Sequence, residues 1–297
     1  MGRVNKVIEL LEHGQPVLST GAHELTYEAG LDMAQTWADM IQVEFEHHAF
    51  DPVGLYKFMQ GLHAGGPTPS GHPTPAVIST LPSNCISPEE VRYNAWQSRH
   101  VLSAGIHGIL HTHARSVEAV KWFVATTRFP FQTIGIDKGI PEGLRGGGGQ
   151  SRPAAIWNTD PNNYLKIADP WPLNPDGELL LGLKIEDRHC LPDADNIAGV
   201  PGISWGEWGP GDMAMSFGDS EGHDPPYPKH MDEARNKVQS ALEKAGGAFY
   251  CSWRDESMTE EQIVLHLIEN IGSKIVPCPN AEVADSVRKR FGRTMPW

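Results

Sequence analysis

The chain is short of cysteine, of positive charge and of long apolar runs, and each shortage removes a class of function. Its four cysteines, Cys85, Cys190, Cys251 and Cys278, lie far apart with no CxxC spacing, which argues against a zinc ribbon or a disulfide framework. Lysine and arginine number 24 against 37 acidic residues, a formal charge of −13. Such a chain repels phosphate backbones and anionic bilayers, so neither nucleic acid nor membrane is an expected partner. The main basic cluster, "RKRFGR" over 288–293, reads as a solvated face of a terminal helix. No segment approaches the roughly 20 apolar residues of a membrane span. The opening "MGRVNKVIELLEHGQP" lacks the apolar centre of a signal peptide, and a reducing cytoplasm is the expected location. There is no HExxH and no internal repeat, and the four glycines 146–149 are followed by no Lys-Ser/Thr pair, which weakens a P-loop reading.

What is present is a globular composition, 39% hydrophobic over 297 residues, enough for one large barrel or two ordinary domains. Eight strand-like runs recur: "PVLSTGA", "MIQVEFE", "PAVIST", "GIHGILHTH", "LLLGLKIE", "GISWGEWG", "AFYCSW" and "SKIVPCP". Helical periodicity separates most of them, as in "YEAGLDMAQTWA", "PVGLYKFMQGL", "SVEAVKWFVATT", "MDEARNKVQSALEKAG" and "TEEQIVLHLIENI". The repeated β-then-α order predicts an α/β fold of the (β/α)8 TIM-barrel type, a single domain over 1–297, with a doubly wound open sheet as the alternative. Two non-periodic segments interrupt it, a Gly/Pro-rich loop at 64–75 and a long excursion at 139–178.

The fifth run carries a signature. In "LLLGLKIEDRHC" alternate residues face opposite ways, so Leu179, Leu181, Leu183 and Ile185 form one apolar face. Leu180, Gly182, Lys184 and Glu186 form the other, which turns polar at its C-terminal end, where a barrel keeps its catalytic groups. The sixth run leads into "WGPGDMAMSFG", placing Asp212 at the neighbouring mouth. Two carboxylates there suit a hard divalent ion, Mg2+ or Mn2+, with Co2+ as a further candidate. On the second strand Gln42, Glu44 and Glu46 face inward, followed by His47 and His48. A histidine beside a carboxylate at such a mouth is a natural acid/base, and His47 is the candidate. His107, His111 and His113 share a face by parity, but their outer members lie about 20 Å apart along a strand, too far for one metal. One of them touches the substrate; spacing leaves open which, and His113 is carried as the binding candidate.

In this order and spacing, "VEFEHHAFD", "GLRGGGGQSRPAAIWN" with "DPNNYLKIAD", "LGLKIED" and "WGPGDMAMSFG" resemble the HpcH/HpaI family of class II pyruvate aldolases, with macrophomate synthase as a relative. The resemblance spans nearly the whole chain. It implies a TIM barrel assembled as a homo-oligomer, a hexamer of swapped dimers. It also implies retro-aldol cleavage of a 4-hydroxy-2-oxo acid to pyruvate and an aldehyde through a metal-stabilised enolate. By the same resemblance Glu186 and Asp212 ligate the divalent ion, the backbone N–H groups of Gly211 and Asp212 hold the substrate carboxylate, and His47 paired with Glu44 is the acid/base. Two departures stand out. The family's third strand supplies an arginine near the keto oxygen where this chain has Ile78, Ser79 and Thr80, and the family's glutamine is here Lys184. Lys184 therefore becomes a candidate for the missing positive charge, with a Lys184 to Glu186 ion pair as the plainer reading. Oxaloacetate-type decarboxylation, macrophomate-type condensation and a barrel that binds without turnover remain alternatives. Trp157, Trp171, Trp205 and Trp208 hint at a bulky acceptor, although core packing explains tryptophans more often.

Overall fold

The computed structural model describes residues 2–296. Its strands are β1 (Val17–Gly21), β2 (Met40–Val43), β3 (Ala76–Asn84), β4 (Gly108–Thr112), β5 (Pro170–Trp171), β6 (Leu179–Lys184), β7 (Trp205–Trp208), β8 (Ala248–Cys251) and β9 (Ile275–Pro277). All pairings are parallel, and β4 pairs directly with β6. That pairing closes eight strands into a barrel and removes the open-sheet alternative. The two-residue β5 sits outside the ring on the start of β6. All eight expected strands are present.

Period-2 alternation divides the core into two. Leu179, Leu181, Leu183 and Ile185 pack outward against the helices, while Met40, Ile78, Leu110, Leu180, Trp205 and Tyr250 fill the interior. The inner face of β6 needs a glycine at one level: a Cβ on Gly182 would lie 2.3 Å from the Trp205 ring. Trp205 thus forms a rigid plug halfway up the barrel. Around the outside the helices bury one stripe each. In Glu260–Glu269, started by a reciprocal Thr259–Gln262 capping box, Ile263, Val264 and Leu267 are the buried positions.

Segment 139–178 is more ordered than its sequence pattern implies. It contains helices Ser151–Ile156 and Pro161–Ile167, both too short for helical periodicity to register. Asp160 caps the second through the N–H groups of Asn162 and Asn163. A buried Arg128–Asp169 pair, Nε to Oδ1 2.6 Å, and an Arg145 to Tyr164 hydroxyl bond of 2.9 Å hold the excursion to the wall. The four glycines form an exposed turn, and a Cβ at Gly146, Gly147 or Gly148 would meet nothing within 4 Å.

The bottom of the barrel is closed by helix Lys6–Glu12, which inserts Val7, Ile8 and Leu10 into the inner core. A charge cluster locks it there. Asp39, fully buried, accepts from the Leu18 N–H at 3.0 Å and meets Lys6 Nζ at 3.1 Å, Arg293 Nη1 at 2.7 Å and Arg288 Nη2 at 3.3 Å. The expectation that 288–293 is a solvated basic face is corrected by this: Arg288 is buried and the Arg293 side chain is covered, because both turn inward to Asp39. Lys289 and Arg290 alone of these four cations stay exposed.

Burial pushes the Asp39 carboxyl up, but Lys6, Arg293 and Arg288 outweigh it and hold its pKa below the ordinary value. The stabilisation from this cluster is therefore complete above the unfolded aspartate value near 4 and is lost as pH falls through the lower folded value. Asp39→Asn leaves buried cations without their anion and should lower unfolding free energy by about 3–5 kcal/mol, measured by denaturant melts at neutral pH. At a pH well below the folded value the gap between the two proteins should shrink.

Candidate active site

The polar ends of the strands converge at the mouth opposite the plug. One donor atom from each of Glu46, His113, Glu186 and Asp212 lies within 4.8 Å of the others. Glu186 follows β6, Glu46 lies just past β2, and Asp212 sits in the first turn of helix Pro210–Phe217. His113 arrives by a backbone turn: its φ is +46°, a left-handed conformation that costs energy in a non-glycine residue. The turn explains why parity misleads for the three histidines. His107 stacks on Trp157 and His111 packs edge-on to Phe123, both buried. Desolvation pushes each down to about 3, so both stay neutral in the wall. His113 alone of the three reaches the mouth.

Glu186 is the centre of this arrangement. It is 1% exposed, and neither carboxylate oxygen has a hydrogen-bond partner among the described residues. The nearest basic nitrogens are His113 Nδ1 at 3.7 Å and Lys184 Nζ at 3.8 Å from Oε1. Burial drives its pKa well above the ordinary carboxylate range, and Glu207, Asp212 and Glu46 push the same way against Lys184. An unpaired buried carboxylate either takes a proton or takes a cation. The backbone is shaped for its other oxygen, since a Cβ on Gly209 would lie 2.3 Å from Glu186 Oε2. Three carboxylates and one imidazole form a donor set suited to a hard divalent ion, and the orphaned oxygens of Glu186 fit that group.

Lys184 is buried beside these acids and makes its close contact with Glu46 Oε2, so its main partner is Glu46 rather than Glu186. Its register partner on β7 is Glu207, a buried acid whose Oε1 accepts from the Ser252 hydroxyl at 2.9 Å. Burial disfavours the ammonium, but Glu207, Glu186 and Glu46 reverse that and raise its pKa. Lys184 is therefore a fixed cation. An amine acting as a Schiff-base nucleophile needs the opposite shift. Burial also raises Glu46, yet His113 and Lys184 bring it down to about 2, so it stays ionised.

The other expected residues fall as follows. Glu44 faces the mouth, but its Oε1 accepts from the Thr80 hydroxyl at 2.8 Å and from the N–H groups of Glu46 and His47. The His47 ring is 63% exposed and lies 3.7 Å from Glu46 Oε2; its link to Glu44 is through the backbone N–H. Thr80 occupies the third-strand position where the arginine is lacking, and its hydroxyl also receives the N–H groups of Phe45 and Glu46. Gly211 lies under His223, whose Cδ2 would be 3.0 Å from a Cβ there. Trp157 and Trp208 are core residues, while Trp205 reaches the mouth from below. All four cysteines are buried and unpaired. Sequence reasoning passed over Glu207 and gave no role to Glu46. Alternation on β7 places Glu207 beside Trp205 on the inner face, which is the signal that could have found it.

A cavity of about 500 Å³ opens beside the cluster, over the ends of β1–β3. Gln42, Glu44, Thr80, His23 and His48 line its walls, above a floor of Ile78, Leu110 and Trp205. The four clustered donors are outside its lining, but Glu44 and Glu46 stand two residues apart at the boundary.

Comparison with known proteins gives the same picture at the level of fold. No family model matches the chain. It is 29% identical to a hydroxypyruvate/pyruvate aldolase of Deinococcus radiodurans over 120 residues, 40% of this chain and 37% of that protein. It is 26% identical to a hydroxypyruvate/pyruvate aldolase of Paraburkholderia phytofirmans over 219 residues, 72% of this chain and 70% of that protein. Among solved structures, an HpcH/HpaI aldolase/citrate lyase family protein from Burkholderia cenocepacia superposes with TM-score 0.69 at 19% identity, covering 97% of both chains. Macrophomate synthase gives 0.65 at 18%, covering 97% of this chain and 86% of that one. A citrate lyase β subunit from M. tuberculosis, complexed with oxaloacetate and magnesium, gives 0.52 at 13%, covering 95% and 99%.

If Glu186 and Asp212 share one ion, Asp212→Asn and Glu186→Gln should each weaken divalent binding. The expected loss is at least the roughly 10- to 100-fold typical of removing a residue that merely supports a ligand, read by isothermal titration with Mn2+. Unchanged affinity in both variants would show that the ion is held elsewhere.

Proposed function

We propose that this barrel is a divalent-metal-dependent carbon–carbon lyase of the aldolase type, cleaving or forming a 4-hydroxy-2-oxo acid with pyruvate and an aldehyde as the other partners. The observation that carries this reading is Glu186, buried and unpartnered within a four-donor cluster, with a permanent ammonium beside it at the barrel mouth. The names of the curated relatives and the similar folds support the same class. Mg2+ or Mn2+ held by Glu46, His113, Glu186 and Asp212 would supply a Lewis acid for a keto oxygen. Magnesium in the similar citrate lyase β subunit supports that choice.

The chain's own groups supply the rest. The N–H groups of Gly211 and Asp212 open helix Pro210–Phe217, and a helix start favours a carboxylate. Lys184 opposes negative charge that develops as the C3–C4 bond breaks. His47 takes the proton of the 4-hydroxyl as the C3–C4 bond breaks and the aldehyde leaves, and returns that proton to C3 to give pyruvate. Thr80 and Glu44 fix the backbone from Phe45 to His47 so that the histidine is presented at the mouth. The same reading extends to a single-domain, cytoplasmic homo-oligomer, a hexamer of swapped dimers. The motif resemblance supports the assembly, and four unpaired buried cysteines support a reducing compartment.

Pyruvate release from a panel of 4-hydroxy-2-oxo acids should appear with Mg2+ or Mn2+ and vanish with EDTA. Turnover of oxaloacetate alone would identify a decarboxylase, and no turnover of any 2-oxo acid would leave a binding barrel. His47→Ala should lower kcat by roughly 10² to 10⁴ while Mn2+ affinity is retained. Lys184→Gln should also lower kcat with the metal bound; an unchanged kcat in a stable, loaded variant would reduce Lys184 to a structural partner of Glu46.

A further inference from the structure

The cavity beside the cluster has a chemistry of its own. Its lining contains two carboxylates, Glu44 and Asp51, and neither lysine nor arginine. On the cluster side Glu46, Glu186 and Asp212 are the residues that would hold the ion, so the charge that faces an acceptor here is that of the lining itself. The nearest ammonium, Lys184, is already engaged by Glu46 and Glu186. The third strand, which could have brought a cation to this wall, presents Ile78 and Thr80 instead. A ligand group entering here meets hydrogen-bonding walls at Gln42, His23 and His48 over an apolar and aromatic floor. Hydroxyls can be accepted and donated at those walls, and a carbon chain can lie on Ile78, Leu110 and the Trp205 ring. A second carboxylate would lie against Glu44 and Asp51 with no lysine or arginine on the wall to receive it, which in a partly desolvated site is strongly unfavourable.

Resting on the aldolase reading, we infer that this cavity is the acceptor subsite and that it selects an uncharged, hydroxylated aldehyde while rejecting aldehydes that carry their own carboxylate. The single carboxylate tolerated by the site is that of the 2-oxo acid, at the helix start. Selection is set by Glu44 and by the missing cation over β1–β3.

The test uses the metal-loaded full chain with pyruvate as donor and two acceptors of similar size, glyceraldehyde and succinic semialdehyde. The kcat/KM for glyceraldehyde should exceed that for succinic semialdehyde by at least tenfold. The ratio should fall in Glu44→Gln, and further in His48→Lys, which places a cation on an exposed position of the wall. Because both acceptors meet the same donor, any general loss of activity in Glu44→Gln cancels in the ratio. Saturation-transfer NMR on metal-free protein should likewise show contact to glyceraldehyde and none to succinic semialdehyde. Metal-dependent exchange of the pyruvate methyl protons in D2O reports the donor half separately. If exchange occurs but both acceptors are used equally, the acceptor inference is overturned and the aldolase reading stands. If exchange and turnover are both absent, the aldolase reading falls and the inference with it.

Discussion

The constraint on which the mouth of this barrel depends is an excess of buried negative charge. Glu46, Glu186 and Glu207 gather around one ammonium, and Asp212 lies beside Glu46 and Glu186. Two unit charges about 4 Å apart interact by roughly 4 kcal/mol at an effective dielectric of 20, so each acid needs compensation or must give up its charge. The compensation is unequal. Glu46 has Lys184 and His113, Glu207 has Ser252, and Glu44 has Thr80 with two backbone N–H groups. Among the described residues Glu186 has neither a hydroxyl nor an amide, and no basic nitrogen closer than 3.7 Å. Glu186 is thus the buried acid for which the described residues provide least, which makes it the natural anchor for an ion.

This distribution was partly legible in the residues. The alternation that sends Lys184 and Glu186 inward follows from strand geometry alone, and the structure has the same faces. The eight strands were legible for the same reason, since most are long enough for period 2 or continuous burial to register. What could not be read was direction beyond the strand ends. His113 reaches the site only because its φ is positive, and no pattern of polar residues encodes that turn. The His47 ring turns toward Glu46 and not toward Glu44, because Thr80 and the backbone N–H groups have already taken Glu44. Segment 139–178 looked irregular because its helices span six and seven residues, less than two full periods. The basic run at 288–293 misled because its sequence shows charge but not the buried acid 249 residues away that claims Arg288.

The two ends of the barrel solve the problem of buried charge in opposite ways. At the bottom, one acid is surrounded by Lys6, Arg288 and Arg293 and ties together helix Lys6–Glu12, the entry to β2 and the C-terminal segment. Such a cluster is closed, and the inner core of Val7, Ile8 and Leu10 sits directly upon it. At the mouth the imbalance has the other sign and is left open to ligands. Between them Trp205, seated on Gly182, forms a rigid floor. Rigid support below and unmet charge above are what a site needs if its geometry is to be set before a ligand arrives.

Lys184 then has a meaning that neither reading of the sequence captured alone. As a plain ion pair it would be redundant, because a buried pair seldom outperforms apolar residues of the same volume. As a mobile substitute for an arginine it would need freedom, and Glu46 and Glu207 deny it that. What remains is a charge fixed in place by acids on either side, 3.8 Å from the one carboxylate that has no partner. An ammonium so held keeps Glu46 ionised and lowers the repulsion that a further anion would meet at Glu186. It does this only within its own short reach. On the β1–β3 side of the mouth, where Thr80 stands, Glu44 and Asp51 line a wall without lysine or arginine, and the mouth is divided into one half that tolerates an anion and one that does not.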